Sequence, residues 1–577
     1  MKLDLSGTES LDTTHLDSLN EIAAALRRPF NGLVRDLASQ HGATIDWWVT
    51  PVASRNIFSC ALFLRCCKLL LAVRAAAAGE VREIIVDSPG LATALRRALA
   101  ARGSGATVRA RPVAAWFRIK LIAGMCYRLA AAVYHATAQY VCARLFERHQ
   151  PIAGSRPIVL VDTFLYRDSF DRPYRDRHYP GLLEQLSEEE RRRIFFLPTY
   201  YKIRNYAALF RALRESGVNF LLKEDLLRLE DYAFALTHPF RVLRFGVRRC
   251  DFEGLDIAPL VNEALRESFA ASGSLEGLLR YRLAQRIRDA AIPVSSVLDW
   301  FENQEIDHGS NAGFRRFLPQ ARITGYQGFV VSPHYLCTFP TADEMRLALI
   351  PHRVAVIGEG LVRGAAEFCP DLDVCVAPAF RFAGLWRDAQ ARSRPTELRI
   401  LVALPLMEDE SSDVMEIAKS GVAGLALADD VAWRVRLKPH PATSRRWLAA
   451  LKREALDARF EFAGGDFDGL LDEADVLISN ASSVCVQALA RGVPVVVVGN
   501  RRGLTLNPIP DGVARELWAL CYNAEQVAAA LRAFAHRDEA ALERHSALAR
   551  AVRERYFTPV TRDGVTALLM LDDGASS

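Results

Sequence analysis

Two polar clusters in the last third of the chain combine side chains that recognise phosphate. The first contains Lys438 and His440, each followed by a proline in the motif KPHP, directly after the alternating stretch RVRL. The second contains Asn480, Ser482 and Ser483, directly after the apolar stretch DVLIS. Ammonium, imidazole and hydroxyl groups offer positive charge and hydrogen-bond donors to an anion. We therefore expect the two clusters to form one seat for the phosphate of a bound nucleotide.

The segment that carries both clusters alternates short apolar stretches with amphipathic ones. Strands are predicted at 398–405, 433–439, 460–464, 475–480 and 493–500, and helices at 413–429, 444–456, 482–492 and 524–535. This alternation is typical of a parallel sheet covered by helices on both faces, a Rossmann-like domain. The carboxyl ends of its strands share one edge, where ligands bind. A helix that begins just after Ser483 would add free N–H groups to the phosphate seat.

The region from about 155 to 380 shows a second, more interrupted α/β pattern. Strands are predicted at 156–164, 192–198, 217–222, 322–332, 354–360 and 373–380, with a helical block at 255–291. The polar, arginine-rich segment 381–397 separates this region from the next. In the first 112 residues, a helical opening is followed by predicted strands in ATIDWWVTP and REIIVDSP. These patterns predict two Rossmann-like domains, a cleft between them and an N-terminal α/β extension.

One long helix is predicted at 114–146, with Arg118, Lys120, Arg128 and Arg144 along it. Two interpretations remain open for this helix. It can pack between domains and extend its arginines to solvent, or it can lie as a basic helix on a membrane surface. No uncharged apolar run reaches about 18 residues, so no transmembrane helix is expected. We expect a cytoplasmic protein that is either free or peripheral on the inner face of the cytoplasmic membrane.

The composition excludes several classes of protein. A net charge of +5 over 577 residues does not indicate a nucleic-acid-binding protein. The 11 cysteines are scattered without a C-x-x-C pair, which argues against a zinc site or a disulfide framework. The polar, acidic opening MKLDLSGTESLD is not that of a signal peptide.

The order of the two polar clusters resembles the donor half of GT-B-fold bacterial surface-polysaccharide glycosyltransferases. Their shared pattern is K-x-H-P or K-P-H-P, then a strand and S-S-x-x-x-E-A-L-x-x-G-x-P-V. Here it stands as RVRLKPHP followed by ADVLISNASSVCVQALARGVPVVVVG. The groups that share it are capsule-type Kdo transferases, sialyltransferases with an HP motif, and CDP-glycerol glycerophosphotransferases. The resemblance spans residues from about 399 to 540.

This resemblance implies roles for the clustered residues. His440, Ser482 and Ser483 would contact the donor phosphate, and Lys438 would assist them. The donor would be nucleotide-activated, most simply a CMP-linked acidic sugar such as Kdo or a nonulosonic acid. Gln487 stands where the pattern has a glutamate that often binds donor hydroxyls, and an amide keeps the hydrogen bonds without the charge. Neither a metal nor a cofactor is expected, because GT-B enzymes commonly work without a catalytic metal.

An inverting transferase also needs a general base that takes the proton of the acceptor hydroxyl. Glu302, Asp307 and His308 lie in the run FENQEIDHGSNAGF, which loosely resembles the acceptor side of the same broad group. Asp162 lies in the first predicted strand of the middle region, and Glu359 in VIGEG is a lower-ranked candidate. The sequence leaves the choice among these residues open.

Together these observations predict an α/β, GT-B-like protein. We expect an N-terminal extension with a linking helix at 1–150, an acceptor-side domain at 151–385 and a nucleotide-sugar donor domain at 386–577. The expected function is glycosyl transfer to a glycan or lipid-linked glycan in capsule or lipopolysaccharide synthesis. Transfer from a CDP-alditol or UDP-sugar donor on the same fold remains open. So do a nucleotide-sugar epimerase and a non-catalytic surface-carbohydrate assembly protein, the latter favoured by Gln487.

Overall fold

The computed structural model describes residues 2–111, 114–146, 156–166, 169–170, 174–387, 397–428, 432–441, 443–453, 459–480 and 482–571. The strands of these segments are β1 (Lys2–Leu5), β2 (Glu83–Val86), β3 (Thr107–Ala110), β4 (Ile158–Leu165), β5 (Ile194–Tyr200), β6 (Asp251–Phe252), β7 (Leu255–Asp256), β8 (Val294–Trp300), β9 (Arg322–Gln327), β10 (Arg353–Val356), β11 (Asp373–Val376), β12 (Glu397–Ala403), β13 (Ala432–Lys438), β14 (Phe460–Phe462), β15 (Val476–Ser479), β16 (Val495–Val498) and β17 (Trp518–Cys521).

The α-helices of the same segments are α1 (Thr13–Gln40), α2 (Ile45–Trp48), α3 (Pro51–Ser54), α4 (Leu62–Ala77), α5 (Pro89–Ala100), α6 (Ala114–Leu145), α7 (Glu188–Arg193), α8 (Tyr206–Glu215), α9 (Lys223–Leu226), α10 (Leu229–Leu236), α11 (His238–Val242), α12 (Ala258–Glu267), α13 (Ser272–Asp289), α14 (Glu305–Phe317), α15 (Ala342–Arg346), α16 (Val362–Ala365), α17 (Glu408–Ala428), α18 (Arg445–Arg453), α19 (Phe467–Glu473), α20 (Val484–Ala490), α21 (Ala524–Ala535), α22 (Glu539–Tyr556) and α23 (Arg562–Leu569). Short 3₁₀ turns occur at Leu183–Gln185, Leu243–Phe245, Leu336–Thr338, Glu359–Leu361, Phe380–Trp386 and Arg515–Leu517.

Two six-stranded parallel sheets form the centre of the molecule. The middle sheet has the order β11-β10-β9-β8-β4-β5, and the C-terminal sheet has the order β14-β13-β12-β15-β16-β17. Their inner strands are buried on both faces, as in the run VVVV of β16, because helices cover each side. The predicted α/β fold with two Rossmann-like domains, the arrangement of the GT-B class, is confirmed.

The N-terminal extension adds a third, three-stranded parallel sheet, β1-β2-β3. Its hydrophobic core also includes Leu255, Leu260 and Val261, from β7 and α12 of the middle region. The extension therefore folds together with part of the middle region and does not form a separate core. The interface between the two contains the buried ion pair between Arg55 and Glu344, whose nearest atoms lie 2.5 Å apart.

Two predicted strands are wrong. The stretch ATIDWWVTP forms the short helices α2 and α3, in which Trp47 and Trp48 are buried. Packing of these indole rings in the core outweighs the strand preference of aromatic residues. The stretch 217–222 contributes only an isolated bridge between Phe220 and Phe196, and the chain turns into α9 immediately afterwards.

The last two helices connect the two large domains. After α22, the backbone N–H of Thr558 donates to Ile357 O at 2.7 Å, beside β10 of the middle sheet. At the end of α23, Leu569 O accepts a hydrogen bond from Ser296 Oγ in β8. A Cβ on Gly358 would lie 2.3 Å from the carbonyl carbon of Tyr556, so only glycine fits at this crossing. The lower-ranked base candidate Glu359 is exposed, in the 3₁₀ turn that packs on α22.

Helix α6 runs along the outside of the middle domain, close to the predicted bounds 114–146. Arg128 Nε donates to Phe269 O and Arg144 Nη1 donates to Glu224 O, each at 2.8 Å. The helix therefore packs on the protein, but most of its other face is exposed. In the part of the chain that the structure describes, no helix is long and apolar enough to span a bilayer.

Candidate active site

A cleft of about 480 Å³ opens at the carboxyl edge of the C-terminal sheet. Its walls come from the ends of β12, β13 and β15, the segments that follow them and the start of α20, and Arg381 adds a side chain from the linker. The structure brings together in this cleft Lys438, His440, Ser482, Ser483 and Gln487 of the predicted set. A hollow of about 590 Å³ between α17 and α18 is larger. The convergence of charged and hydroxyl groups, not the volume, distinguishes the cleft as the candidate site.

The KPHP turn places its two polar side chains differently. Lys438 is the last residue of β13, and its Nζ donates to Gly465 O at 2.6 Å. The side chain of His440 stands in the cleft and is still reached by solvent. The cleft walls withdraw the imidazole from bulk water and so lower its pKa, and the positive charges of Lys202, Arg381 and Arg177 lower it further. This direction favours the neutral imidazole of His440 at pH 7.

The serine pair lies just before α20. Ser483 takes the N-cap position, but its hydroxyl does not cap the helix. No hydrogen bond joins either Ser482 Oγ or Ser483 Oγ to another residue that the structure describes, and both serines line the cleft. Since α20 has only seven residues, the hydroxyls rather than a long helix dipole are the main donors here.

Asn480 supports this turn instead of lining the cleft. It is buried, and its Nδ2 donates to Glu410 Oε2 at 2.9 Å, at the start of α17. Its backbone carbonyl accepts from the N–H of Ser482 at 2.8 Å. Asn480 therefore stabilises the turn that carries Ser482 and Ser483.

A carboxylate that the sequence analysis missed lies beside Gln487. Asp468 Oδ1 accepts a hydrogen bond from Gln487 Nε2 at 2.7 Å, and its other oxygen lies 3.6 Å from Arg491 Nη2. Asp466 and Asp468 both line the cleft. Their D-x-D spacing just after the strand 460–464 was the available signal. Among the residues described, no group of three or more potential ligands could hold a metal ion.

The carboxyl edge of the middle sheet also carries polar side chains. Tyr166 follows β4, Lys202 follows β5 and Glu302 follows β8. The positive charges of Lys202, which follows β5, and of Arg381 both lower the pKa of His440, so this edge of the middle sheet lies near the KPHP turn. Lys202 also has a left-handed φ of 54°, a backbone strain of the kind that functional loops retain.

Glu302 is the base candidate at the carboxyl edge of the middle sheet. It is half-buried, and its carboxylate accepts hydrogen bonds from Trp300 Nε1 at 3.0 Å, Gln304 Nε2 at 2.5 Å and Tyr335 OH at 3.2 Å. Its charge acts on Arg381, which lines the cleft. Three donors hold the carboxylate in one orientation. A general base needs such a fixed orientation toward the substrate hydroxyl.

Asp162 and Asp307 lie in the interior. Asp162 Oδ1 is 2.8 Å from Arg280 Nη2, and Asp307 Oδ2 accepts from the N–H of Gln304, which caps α14. Burial raises the pKa of Asp162 to about 6 and that of the neighbouring Asp299 to about 7, and it also raises the pKa of Asp307. These carboxyls form a buried cluster that shares protons, and the structure places them away from the solvent-exposed face of the cleft.

His308 is also an interior residue, with no exposed surface. Its Nδ1 lies 2.7 Å from Trp48 O, and its Nε2 lies 3.1 Å from both Asn303 Oδ1 and Glu344 Oε1. Asn303 has a left-handed φ of 56°. His308 and Glu344 thus hold the strained residue next to Glu302, and they position the base candidate without reaching the cleft.

Two further residues of the middle domain, Arg177 and His178, were not among the predicted site residues. The Arg177 guanidinium lies 4.9 Å from the Tyr166 ring centre. His178 is buried, with its ring centre 4.2 Å from that of Trp300. Burial lowers the pKa of His178 to about 4. The run RDRH was visible in the sequence. Only the fold brings its Arg177 close enough to His440 to lower the pKa of that imidazole.

Comparisons with known proteins were made at three levels. No protein-family model matches the chain, and no curated protein matches it. Among solved structures, the chain is similar to the complex of S. aureus MnaA with UDP, at 11% identity and a TM-score of 0.43, over 72% of this chain and 97% of that one. It is similar to α,α-trehalose-6-phosphate synthase from Burkholderia multivorans, at 13% identity and 0.41, over 73% and 100%. It is also similar to MurG from Acinetobacter baumannii, at 12% identity and 0.38, over 72% and 100%. With identities of 11–13% and TM-scores of 0.38–0.43, these similarities carry no conclusion about the function of this chain.

Proposed function

We propose that this protein is a GT-B-type glycosyltransferase of bacterial surface-polysaccharide synthesis. It moves a sugar from a nucleotide-activated donor to a glycan acceptor. The main support is the convergence of Lys438, His440, Ser482 and Ser483 in one cleft of about 480 Å³, with Arg381 beside them. Hydroxyls, an imidazole and cations around one hollow are the groups that bind a phosphate and stabilise its charge as it leaves.

The donor phosphate occupies the seat between the serine hydroxyls and His440. Ser482 Oγ and Ser483 Oγ donate hydrogen bonds to its oxygens, and Arg381 supplies a permanent positive charge. When the bond from the sugar to the phosphate breaks, negative charge grows on the leaving oxygen. His440 gains a proton more readily beside that anion, which offsets the growing charge.

Asp468 takes over the recognition of donor hydroxyls. The resemblance predicts a carboxylate at position 487, where this chain has glutamine. Gln487 Nε2 holds Asp468 Oδ1 at 2.7 Å, so a carboxylate remains at the floor of the same cleft. A carboxylate accepts hydrogen bonds from two hydroxyls at once. The glutamine is therefore compatible with an active transferase and does not by itself favour a non-catalytic protein.

Glu302 is the general base in this proposal. Its carboxylate takes the proton of the acceptor hydroxyl as the acceptor oxygen forms a bond to the anomeric carbon. The bond from that carbon to the phosphate oxygen breaks, and the nucleotide leaves with the electron pair. Of the predicted candidates Glu302, Asp307, His308 and Asp162, Glu302 alone combines partial exposure with a charge that acts on the cleft residue Arg381.

The donor we propose is a CMP-linked acidic sugar such as Kdo or a nonulosonic acid. Besides the phosphate seat, Arg177 and Lys202 stand close to His440. A second negative group on the donor would explain why these extra cations are present. The carboxylate of an acidic sugar is such a group. In a CDP-alditol or UDP-sugar, the second phosphate would take the same place, so these donors remain the alternatives.

A panel of donors tests the proposal. The full chain is incubated with CMP-Kdo, a CMP-nonulosonic acid, CDP-glycerol and UDP-sugars, with and without glycan acceptor, and the released nucleotide is measured. We expect release of CMP that depends on the acceptor and that falls about a hundredfold in His440→Ala and in Ser482→Ala/Ser483→Ala. Unchanged turnover in both variants would overturn the phosphate seat.

The same panel separates the other classes. Interconversion of a UDP-sugar without an acceptor would identify an epimerase. Nucleotide binding without turnover of any donor would identify an assembly protein. Peripheral contact with the inner face of the cytoplasmic membrane is also part of this proposal.

A further inference from the structure

Helix α6 exposes an unusually apolar face. Eight large apolar or aromatic side chains on it are between 45% and 75% exposed: Trp116, Ile119, Ile122, Tyr127, Val133, Tyr134, Val141 and Leu145. They are nearly half of the large hydrophobic side chains that are exposed in the described part of the chain. A single exposed apolar residue needs no explanation, but a continuous face of this kind marks a surface that is covered by a partner.

Five of these side chains form a stripe that points away from the protein. Trp116, Tyr127, Tyr134, Val141 and Leu145 follow one another at intervals of 11, 7, 7 and 4 residues. At about 100° per residue, these intervals bring all five within a narrow sector of the helix surface. The helix has 32 residues, so the stripe runs along most of an axis of about 48 Å.

The other side of α6 is occupied by the middle domain. Ala143 is buried, Arg128 donates to Phe269 O, and the Tyr140 ring centre lies 5.6 Å from that of Tyr232. The helix is thus already fixed to the protein along one side. The exposed stripe is therefore available on a rigid element and does not need a conformational change.

A second exposed apolar element lies alongside the helix. Phe240 and Leu243 are 54% and 50% exposed. The Phe240 ring centre lies 5.8 Å from that of Phe269, whose carbonyl accepts from Arg128 of α6. We call the exposed stripe of α6, together with the neighbouring Phe240 and Leu243, the α6 face.

The charge on the α6 face has one sign. The helix contains no aspartate or glutamate between residues 114 and 145, and Arg118 and Lys120 are exposed near its start. Arg118 also lines a groove of about 340 Å³ together with Arg97, Arg248 and Arg266, and the buried Glu263 lines it as well. The apolar stripe is therefore bordered by cations at its N-terminal end.

We infer that the α6 face docks onto the headgroup region of an anionic lipid bilayer. Tryptophan and tyrosine prefer the interface between water and hydrocarbon, and exposed lysine and arginine bind acidic headgroups. The complementarity of charge favours lipid over a second copy of the chain, because the helix offers Arg118 and Lys120 no acidic partner on an identical face. This inference does not depend on the catalytic proposal.

Vesicle sedimentation with the full chain tests the inference. The vesicles contain phosphatidylcholine alone or phosphatidylcholine with phosphatidylglycerol. We expect binding to the anionic vesicles that weakens in high salt, and weak binding to the neutral ones. The double variant Tyr127→Glu/Tyr134→Glu should lower the binding about tenfold, and Arg118→Glu/Lys120→Glu should lower it on anionic vesicles only.

Leu347→Glu, at an exposed leucine outside α6, is the matched control and should bind as the original protein does. Circular dichroism and nucleotide binding show that each variant is folded. Equal binding by the Tyr127→Glu/Tyr134→Glu variant overturns the inference, and so does absence of binding to both kinds of vesicle. A concentration-dependent dimer that this variant abolishes would instead assign the face to a second copy, and would overturn it as well.

Discussion

Gln487 Nε2 and Asp468 Oδ1 lie 2.7 Å apart and form a hydrogen bond at the floor of the cleft. The amide at this position orients a carboxylate that comes from another helix, so the negative charge is displaced by one side chain and not lost. This relationship decides how substitutions at the two positions should behave.

Asp468→Ala should raise the KM for the nucleotide donor about tenfold, because one set of hydrogen bonds to donor hydroxyls is lost. Gln487→Glu should also raise it, since two carboxylates at this distance cannot both ionise. The Gln487→Glu penalty should be larger at about pH 8 than at about pH 6, where one carboxyl is protonated more easily. Donor titrations at the two pH values measure both effects. A Gln487→Glu variant with a lower KM would show that the glutamine is a defect and not a partner of Asp468.

Glu302→Gln should lower kcat by about a hundredfold or more and leave donor binding nearly unchanged, because the acceptor proton loses its base. The measurement is steady-state turnover together with equilibrium binding of the nucleotide. Asp307→Asn is the comparison, since Asp307 caps α14 in the interior, and it should lower thermal stability more than it affects the chemical step. Full activity in Glu302→Gln would exclude Glu302 as the base.

The stability of the protein should fall as the pH drops from about 6.5 to about 4, in part because of His178. Burial lowers the pKa of His178 from 6.5 to about 4, so the unfolded chain takes up this proton first and is favoured in that window. The full shift corresponds to about 3 kcal/mol at the acid end. His334 and His352 are shifted in the same direction, also to about 4. Denaturant unfolding across this range should therefore show a shallower pH slope in His178→Gln, and an unchanged slope would contradict the assignment.

Arg55→Met should reduce the free energy of unfolding by about 3–5 kcal/mol, because it leaves Glu344 as an unpaired buried charge. Both side chains are 1% exposed, and their nearest atoms lie 2.5 Å apart. The double variant Arg55→Met/Glu344→Gln should recover part of this loss. The single variant should also lower kcat, since Glu344 contacts Asn303 Nδ2 beside Glu302. Chemical denaturation measures the first effect, and a loss below about 1 kcal/mol would show that the pair is not needed to join the extension to the middle domain.

Local patterns of the sequence were enough for much of the fold. The alternation of apolar strands and amphipathic helices predicted five of the six strands of the C-terminal sheet, including the apolar run Val495–Val498, but not β17. The same alternation placed Lys438 and the serine pair at strand ends. Parallel strands have all their carboxyl ends at one edge, so the sequence alone predicts that these clusters meet in one cleft.

Segments without such periodicity were predicted poorly. The tryptophans of the ATIDWWVTP stretch have a preference for strands, but α2 places both rings in the core. Their conformation depends on which distant side chains surround them. The carbonyl of Trp48, for example, forms a hydrogen bond with the ring of His308, which is 260 residues away. Intrinsic preferences of about 1 kcal/mol are easily outweighed by burial of rings of this size.

The choice among the base candidates depended on burial, which is a property of the assembled molecule. Glu302, Asp307 and His308 are neighbours in the sequence, and nothing in their types or spacing distinguishes them. Packing of α14 against the extension encloses His308, and capping of the helix engages Asp307, whereas Glu302 stays at the strand end beside the cleft. The chain thus carries its phosphate-binding groups in two local motifs. Solvent access to the base candidates is decided only in the folded molecule. There, residues hundreds of positions apart exclude water from Asp307 and His308 and leave Glu302 partly exposed.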